Sequence, residues 1–306
     1  MREFKKLDRV FIKSNNTTNK IFNRYLYCLI PFILLILIYN FIWGEQIISI
    51  SLIKSLGISI ISCFVCNILF DVINKNDEKK RFLDDNVLTI AIVLGLFSVS
   101  SSILTIIVSS VLTIVIKRVM KNDSFSVSLY GILVILILNH YIGDIDTPLL
   151  NLSRLSYVGS FDNVLKSYGS IKDYFIGTIN YLSPMLAILV FIYLFYKKSI
   201  KYNIVIAYLL TFSFIMFIVG MVNGMNIWYV FFQLMTGNVL FLSIFCLPDY
   251  PVSPIVTEGQ LVYGIILGLI SCILRFIVPE LAIVISIIIG PLLITNKINK
   301  LSIKLK

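Results

Sequence analysis

Few residues in this sequence are equipped for chemistry, and Asp249 is the most telling of them. It stands in CLPDYPVSP, where Pro248, Pro251 and Pro254 each remove a backbone donor and restrict the residue before them. A helix arriving from Asn238 must therefore unravel between Cys246 and Asp249. A carboxylate beside freed carbonyl oxygens is an all-oxygen donor set suited to Na+ or to a proton. Asn238 and Asn86 open two similar stretches, NVLFLSIFCLPDYPVSPIVT and NVLTIAIVLGLFSVSSSILT, and supply amide oxygens that could join the same ion path. Helix-start capping explains Asn86 equally well. An ordinary turn at a membrane face explains the prolines as well as a paired re-entrant element does.

Other candidates form looser groups. His140, Asp144 and Asp146 precede Thr147 and Pro148 in NHYIGDIDTP, a pattern that can gather a cation or relay protons, or simply lie in a solvated loop. Cys63 and Cys66 share one helical face in CFVC, but all five cysteines lie in apolar runs, where a thiol normally acts as a small hydrophobe. A metal or redox pair is the alternative. Lys54 and Arg275 sit toward span ends, where long side chains snorkel, and Arg275 can also pair with Glu280. Asp71 lies near a basic loop. The single His leaves no Ser-His-Asp set, and the chain has no phosphate-binding glycine loop, so no catalytic residue and no metal site is assigned.

The elements that must position these residues are apolar helices. Hydrophobic residues make up 58% of the chain, charged residues 14%, and the mean hydropathy is +0.95, which no water-soluble domain could bury around one core. The chain reads as an all-α integral membrane protein. About ten spans follow from hydropathy, near 25–43, 50–72, 87–99, 102–119, 126–142, 179–196, 202–222, 227–247, 260–277 and 280–296. The net charge of +10 is spread over short loops without an aromatic-basic segment, which speaks for topology and against nucleic acid. Placing both termini in the cytoplasm gathers most Lys and Arg on the inner side, as expected for a multi-pass protein of the cell's inner, or plasma, membrane. The organisation expected is a basic tail over 1–24, five helices over 25–142, an outer segment over 143–178, five helices over 179–296 and a tail over 297–306. An odd number of spans in each half makes the halves inverted repeats, with broken helices where they meet.

With those residues in view, the chain resembles the NqrB/RnfD family, flavin-carrying membrane subunits of ion-pumping electron-transfer complexes. The likeness is carried by Gly237, Asp249, Pro251, Ser253, Pro254, Gly264, Gly268, Arg275, Pro279, Glu280 and Pro291, which fall in the family's order among apolar filler. DDNVLTIAIVLGL, which includes Asp85, is similar to the family segment that opens the third span. The resemblance implies FMN or riboflavin on the outer side, with Thr147, Asp146 and Asp85 as cofactor-side residues. It also implies other membrane subunits as partners and a part in an ion-translocating oxidoreductase. The family joins FMN to a Thr preceded by Ser, Gly and Ala. Here Asp144, Ile145 and Asp146 precede Thr147, and two carboxylates repel a phosphate and its donor, so noncovalent flavin stands beside a covalent bond. A stand-alone secondary transporter or channel on the same scaffold is the competing expectation, and a purely structural membrane subunit is a third.

Overall fold

The computed structural model describes residues 18–42, 46–73, 85–98, 101–120, 125–142, 184–224, 227–235, 238–249, 253–278 and 281–291. Every regular element among them is helical: α1 (Thr18–Ile42), α2 (Gln46–Ile73), α3 (Asp85–Phe97), α4 (Ile103–Met120), a 3-10 turn (Phe125–Val127), α5 (Ser128–Ile142), α6 (Pro184–Tyr196), α7 (Tyr202–Val222), α8 (Trp228–Met235), α9 (Val239–Phe245), α10 (Thr257–Ile277) and α11 (Ala282–Ile289). The stretches Ile50–Val72, Tyr202–Val222 and Thr257–Ile277 are each long and apolar enough to cross a membrane, and Asn86–Phe97, Ser128–Leu138 and Leu186–Tyr196 are shorter apolar helices. Large apolar side chains cover the outside, among them Ile61, Leu104, Leu210, Phe214 and Ile273. In water such a surface would aggregate, so its solvent is lipid, and the chain is a membrane protein.

Polar atoms inside the bundle work at close range. Ser55 and Ser59 of α2 donate to Gly95 O at 2.9 Å and Ala91 O at 2.9 Å on α3, and Ser110 of α4 reaches Ser62 of α2 at 2.5 Å. Such hydroxyl bonds, with small residues, replace the missing hydrophobic drive between helices in lipid. Glycine adds to this in both halves, at Gly95 against Leu56 of α2 and again on α10. At Gly264 of α10 an added Cβ would come within 2.6 Å of Ile204 O, and at Gly268 it would meet Thr211 Oγ1, so only glycine lets α7 and α10 lie this close.

At the centre is α9. All seven of its residues, VLFLSIF, are buried, which a helix apolar on every side requires. Phe241 and Phe245 take edge contacts from Phe32 of α1 at centroid separations of 6.0 and 6.3 Å, Tyr25 meets Phe245 at 5.8 Å, and Phe97 of α3 meets Phe241 at 6.0 Å. Residues distant in sequence thus pack around one short helix.

The span expected over 227–247 is two helices rather than one. Asn238 adopts φ 59°, ψ 23°, a left-handed conformation that ends one helical run and starts the next, so α8 and α9 are separate pieces. α1 begins at Thr18, earlier than hydropathy placed it, because helical hydrogen bonding continues into polar residues that a hydropathy window leaves out.

Candidate functional site

The chain after α9 turns as its prolines demand. Cys246 N and Leu247 N both donate to Leu242 O, at 2.9 and 3.2 Å, and the helix ends. Asp249 then closes a tight turn: its carbonyl accepts Ser253 N at 3.1 Å and Ser253 Oγ at 2.6 Å. Its side chain is 4% exposed and points across the molecule, where Oδ2 accepts the backbone N–H of Ser126 at 2.8 Å. Ser126 lies in the 3-10 turn that leads into α5, so the bond joins residues 123 positions apart. Ser128, the first residue of α5, faces the buried Cys246 at the end of α9.

A third segment brings the positive charge. α6 ends in a Schellman-type turn, with Ser199 N donating to Leu194 O at 3.0 Å, Lys198 N to Phe195 O at 2.9 Å, and Lys198 at φ 50° in the place that glycine usually takes. Arg24 of α1 steadies this turn by donating to Lys197 O at 3.0 Å and to Ser199 Oγ at 2.6 Å. Two residues on, Lys201 Nζ donates to Ser253 O at 3.1 Å and Ser253 Oγ at 2.8 Å. Burial pulls the Lys201 ammonium down from 10.5 to about 8, against the opposing attraction of Asp249. A lysine titrating near pH 8 beside a buried carboxylate can release and recover a proton near neutrality.

Among the described residues, four carbonyls around the prolines have protein partners. Asp249 O accepts from Ser253, Ser253 O from Lys201, and Pro254 O and Ile255 O from Gln260 Nε2 at 3.3 and 3.2 Å. Asn203 Nδ2 in turn meets Gln260 Oε1 at 3.5 Å. The result is a built polar site held by side chains from α1, the α6–α7 turn and α10 and by a backbone amide of the 3-10 turn before α5.

Asn238 lies elsewhere. The seven residues of α9 separate it from this turn by roughly 10 Å of helical rise. Among the described residues its buried Oδ1 has no hydrogen-bond partner, an acceptor at the α8–α9 break. Asn86 is half-buried near the start of α3, and its carbonyl accepts Thr89 Oγ1 at 2.9 Å. Asp85 is the first residue of α3, with its side chain outside the described residues. Thr147, Asp144 and Asp146 also lie outside them, as does Glu280, and His140 is described only by its helical backbone on α5.

Other charged residues find specific partners. Arg275 is not a snorkelling residue: it is 2% exposed, and its Nε donates to Gln233 Oε1 on α8 at 3.1 Å, among Tyr208, Tyr229 and Ser271. Asp71 pairs with Arg118 at 2.7 Å, which also donates to Asn67 Oδ1 at 2.5 Å. The CFVC thiols are both buried, Cys66 Sγ lying 4.0 Å from Val111 O. Lys201, Ser126 and Gln233 escaped the sequence reading. Lys201 read only as part of a basic turn, and the KKSIK segment carried no other signal.

A model of the NQR2, RnfD, RnfE family matches residues 7–294, so the match contains all the described helices and the Asp249 site. The chain belongs to the NQR2, RnfD, RnfE family. Against a curated relative, the D subunit of the Na(+)-translocating ferredoxin:NAD(+) oxidoreductase complex of Acetobacterium woodii, it is 30% identical over 129 residues. That stretch is 42% of this chain and spans 38% of the relative's length. For this member of the NQR2, RnfD, RnfE family, the motif turn at Asp249 and the α10 glycines therefore have defined places: one closes a buried polar site, and the others set the contact with α7.

Proposed function

We propose that this chain is a membrane subunit of an Rnf- or NQR-type electron transport complex, coupling electron transfer to movement of Na+ or H+. The family match over residues 7–294 carries this reading. Its scaffold would be about ten spans in two inverted five-helix halves, inserted in the plasma membrane with both termini in the cytoplasm. The parallel between α3, turn and α4 and α9, turn and α10 supports that arrangement, since each short apolar helix ends in a break before a long one. Other membrane subunits would supply the donor and acceptor chemistry.

Within this reading, Asp249 and Lys201 form the inner ion or proton station. Asn238, with its unpaired buried oxygen at the α8–α9 break, would be a separate point along the path. Asn86 belongs to the first half's counterpart of that break. Asp249 offers a carboxylate held by the Ser126 amide, and Lys201 can move between charged and neutral forms as the local field changes.

The family likeness supports flavin association as part of this reading. The residues around Thr147 do not suit a phosphodiester-linked flavin, because Asp144 and Asp146 place negative charge where the phosphate would approach. We therefore assign noncovalent flavin, with Asp85 and Asp146 as polar neighbours.

The test is reconstitution of the purified complex in liposomes. Reductant-driven Na+ or H+ uptake is expected, with Asp249→Asn lowering uptake at least about ten-fold while electron transfer continues. Flavin fluorescence should leave the chain on denaturation, with an unmodified intact mass. Solute flux by the chain alone, in the absence of any redox partner, would instead establish a stand-alone transporter or channel. Unchanged uptake in Asp249→Asn would leave a purely structural subunit.

A further inference from the structure

We propose that internal water is bound where α7, α8 and α10 meet, held by the hydroxyls of Tyr208 and Tyr229 beside the Arg275 guanidinium. Tyr208 of α7 is 0% exposed and Tyr229 of α8 is 6% exposed, and among the described residues neither hydroxyl has a hydrogen-bond partner. Both tyrosines lie beside Arg275 and Cys272 of α10, so the two orphaned hydroxyls belong to one neighbourhood and adjoin one cation.

The protein groups around them are already engaged. Ser271, which Tyr208 faces, gives its hydroxyl proton to Gly268 O at 3.0 Å. Gln233, which Tyr229 faces, accepts Arg275 Nε on its Oε1 at 3.1 Å. A buried phenol with no partner carries the full desolvation cost, and inside a lipid-embedded bundle bulk water does not reach it. Proteins resolve such groups with ordered water, which bonds two to four otherwise unsatisfied polar atoms at once. The site is also closed: Tyr208, Gln233, Ser271, Cys272 and Arg275 are each at most 2% exposed, so a ligand larger than water has no way in. Charges within membrane spans face the bundle interior or water, and water here solvates the Arg275 guanidinium at that depth. A short way beyond Gln233 the chain reaches the α8–α9 break, where the buried Asn238 Oδ1 is a further acceptor with no partner among the described residues. The same water therefore wets the approach to that break. The assignment rests on the two tyrosines and is independent of the electron-transport reading and of flavin.

The experiment is X-ray hydroxyl-radical footprinting of the full chain in phosphatidylcholine vesicles, prepared in water enriched in heavy oxygen and read by mass spectrometry. The radicals form from water, so a buried ring is labelled only where water sits against it. Tyr208 and Tyr229 should both take up the heavy oxygen at least about five-fold faster than Tyr263, a core tyrosine of α10 that is 1% exposed. In Tyr208→Phe, labelling of Tyr229 should fall at least about two-fold because the shared water loses a ligand, while Tyr263 stays slow as the sign of a folded chain. Labelling of either Tyr208 or Tyr229 as slow as that of Tyr263 overturns the proposal, as does equally fast labelling of all three. A Tyr229 rate unchanged in folded Tyr208→Phe overturns the shared site as well.

Discussion

Replacing Asp249 with Asn removes one negative charge from a buried site and leaves an oxygen able to accept the Ser126 amide, now at 2.8 Å. The hydrogen bond survives but changes from charge-assisted to neutral, a loss of about 1 kcal/mol. The larger consequence falls on Lys201. Burial already brings its ammonium to about 8, and Asp249 is the charge that opposes that descent. An adjacent opposite charge shifts a titrating group by roughly 1–3 pH units, so its removal should lower the Lys201 midpoint by at least about one unit. The pH dependence of Lys201 acylation, read by mass spectrometry on the folded chain, measures this directly because only the neutral amine reacts. The wild type should show a midpoint near 8 and Asp249→Asn a lower one. Identical midpoints in the two proteins would show that the carboxylate does not act on the lysine, and the coupled site would be refuted. A wild-type midpoint near 10.5 would show that Lys201 is not desolvated at all.

Three further outcomes follow from the same geometry. Because the folded Lys201 titrates near 8 and the unfolded one near 10.5, the unfolded chain holds more protons between those values; thermal stability should rise across that window by up to roughly 3 kcal/mol, and the rise should vanish in Lys201→Gln. Gly264→Ala should lower stability by about 2 kcal/mol, measured by thermal melting in detergent, because the new methyl meets the Ile204 carbonyl at 2.6 Å and backbone cannot swing aside. Gln233→Leu should cost about 2 kcal/mol by removing an acceptor from the buried Arg275 guanidinium, and Gln233→Glu should restore most of it.

Hydropathy placed most helices well because a span must be apolar for its whole length, and α7 runs from Tyr202 to Val222 as the pattern demanded. It missed the break at Asn238, since a single left-handed residue scarcely changes mean hydropathy; Gly237-Asn238 inside an apolar run was the available sign. The prolines around Asp249 announced the end of α9 because their effect is local and covalent. Its partners were not legible for the opposite reason. Ser126 contributes only a backbone amide, which every non-proline residue possesses, and Lys201 sits in a basic turn whose charge is explained by topology alone. What turns that lysine into a titrating group is burial beside Asp249 and Ser253, the latter 52 positions along the chain, and no window of sequence contains that environment. The same logic separates the two cations read as surface-seeking. Lys54 is exposed, whereas Arg275 is enclosed, and the difference lies in Gln233 and two tyrosines that arrive from other helices. A buried cation therefore reports its function through what faces it, so the variants that discriminate best are those that alter the partners, Asp249 for Lys201 and Gln233 for Arg275, rather than the cations themselves.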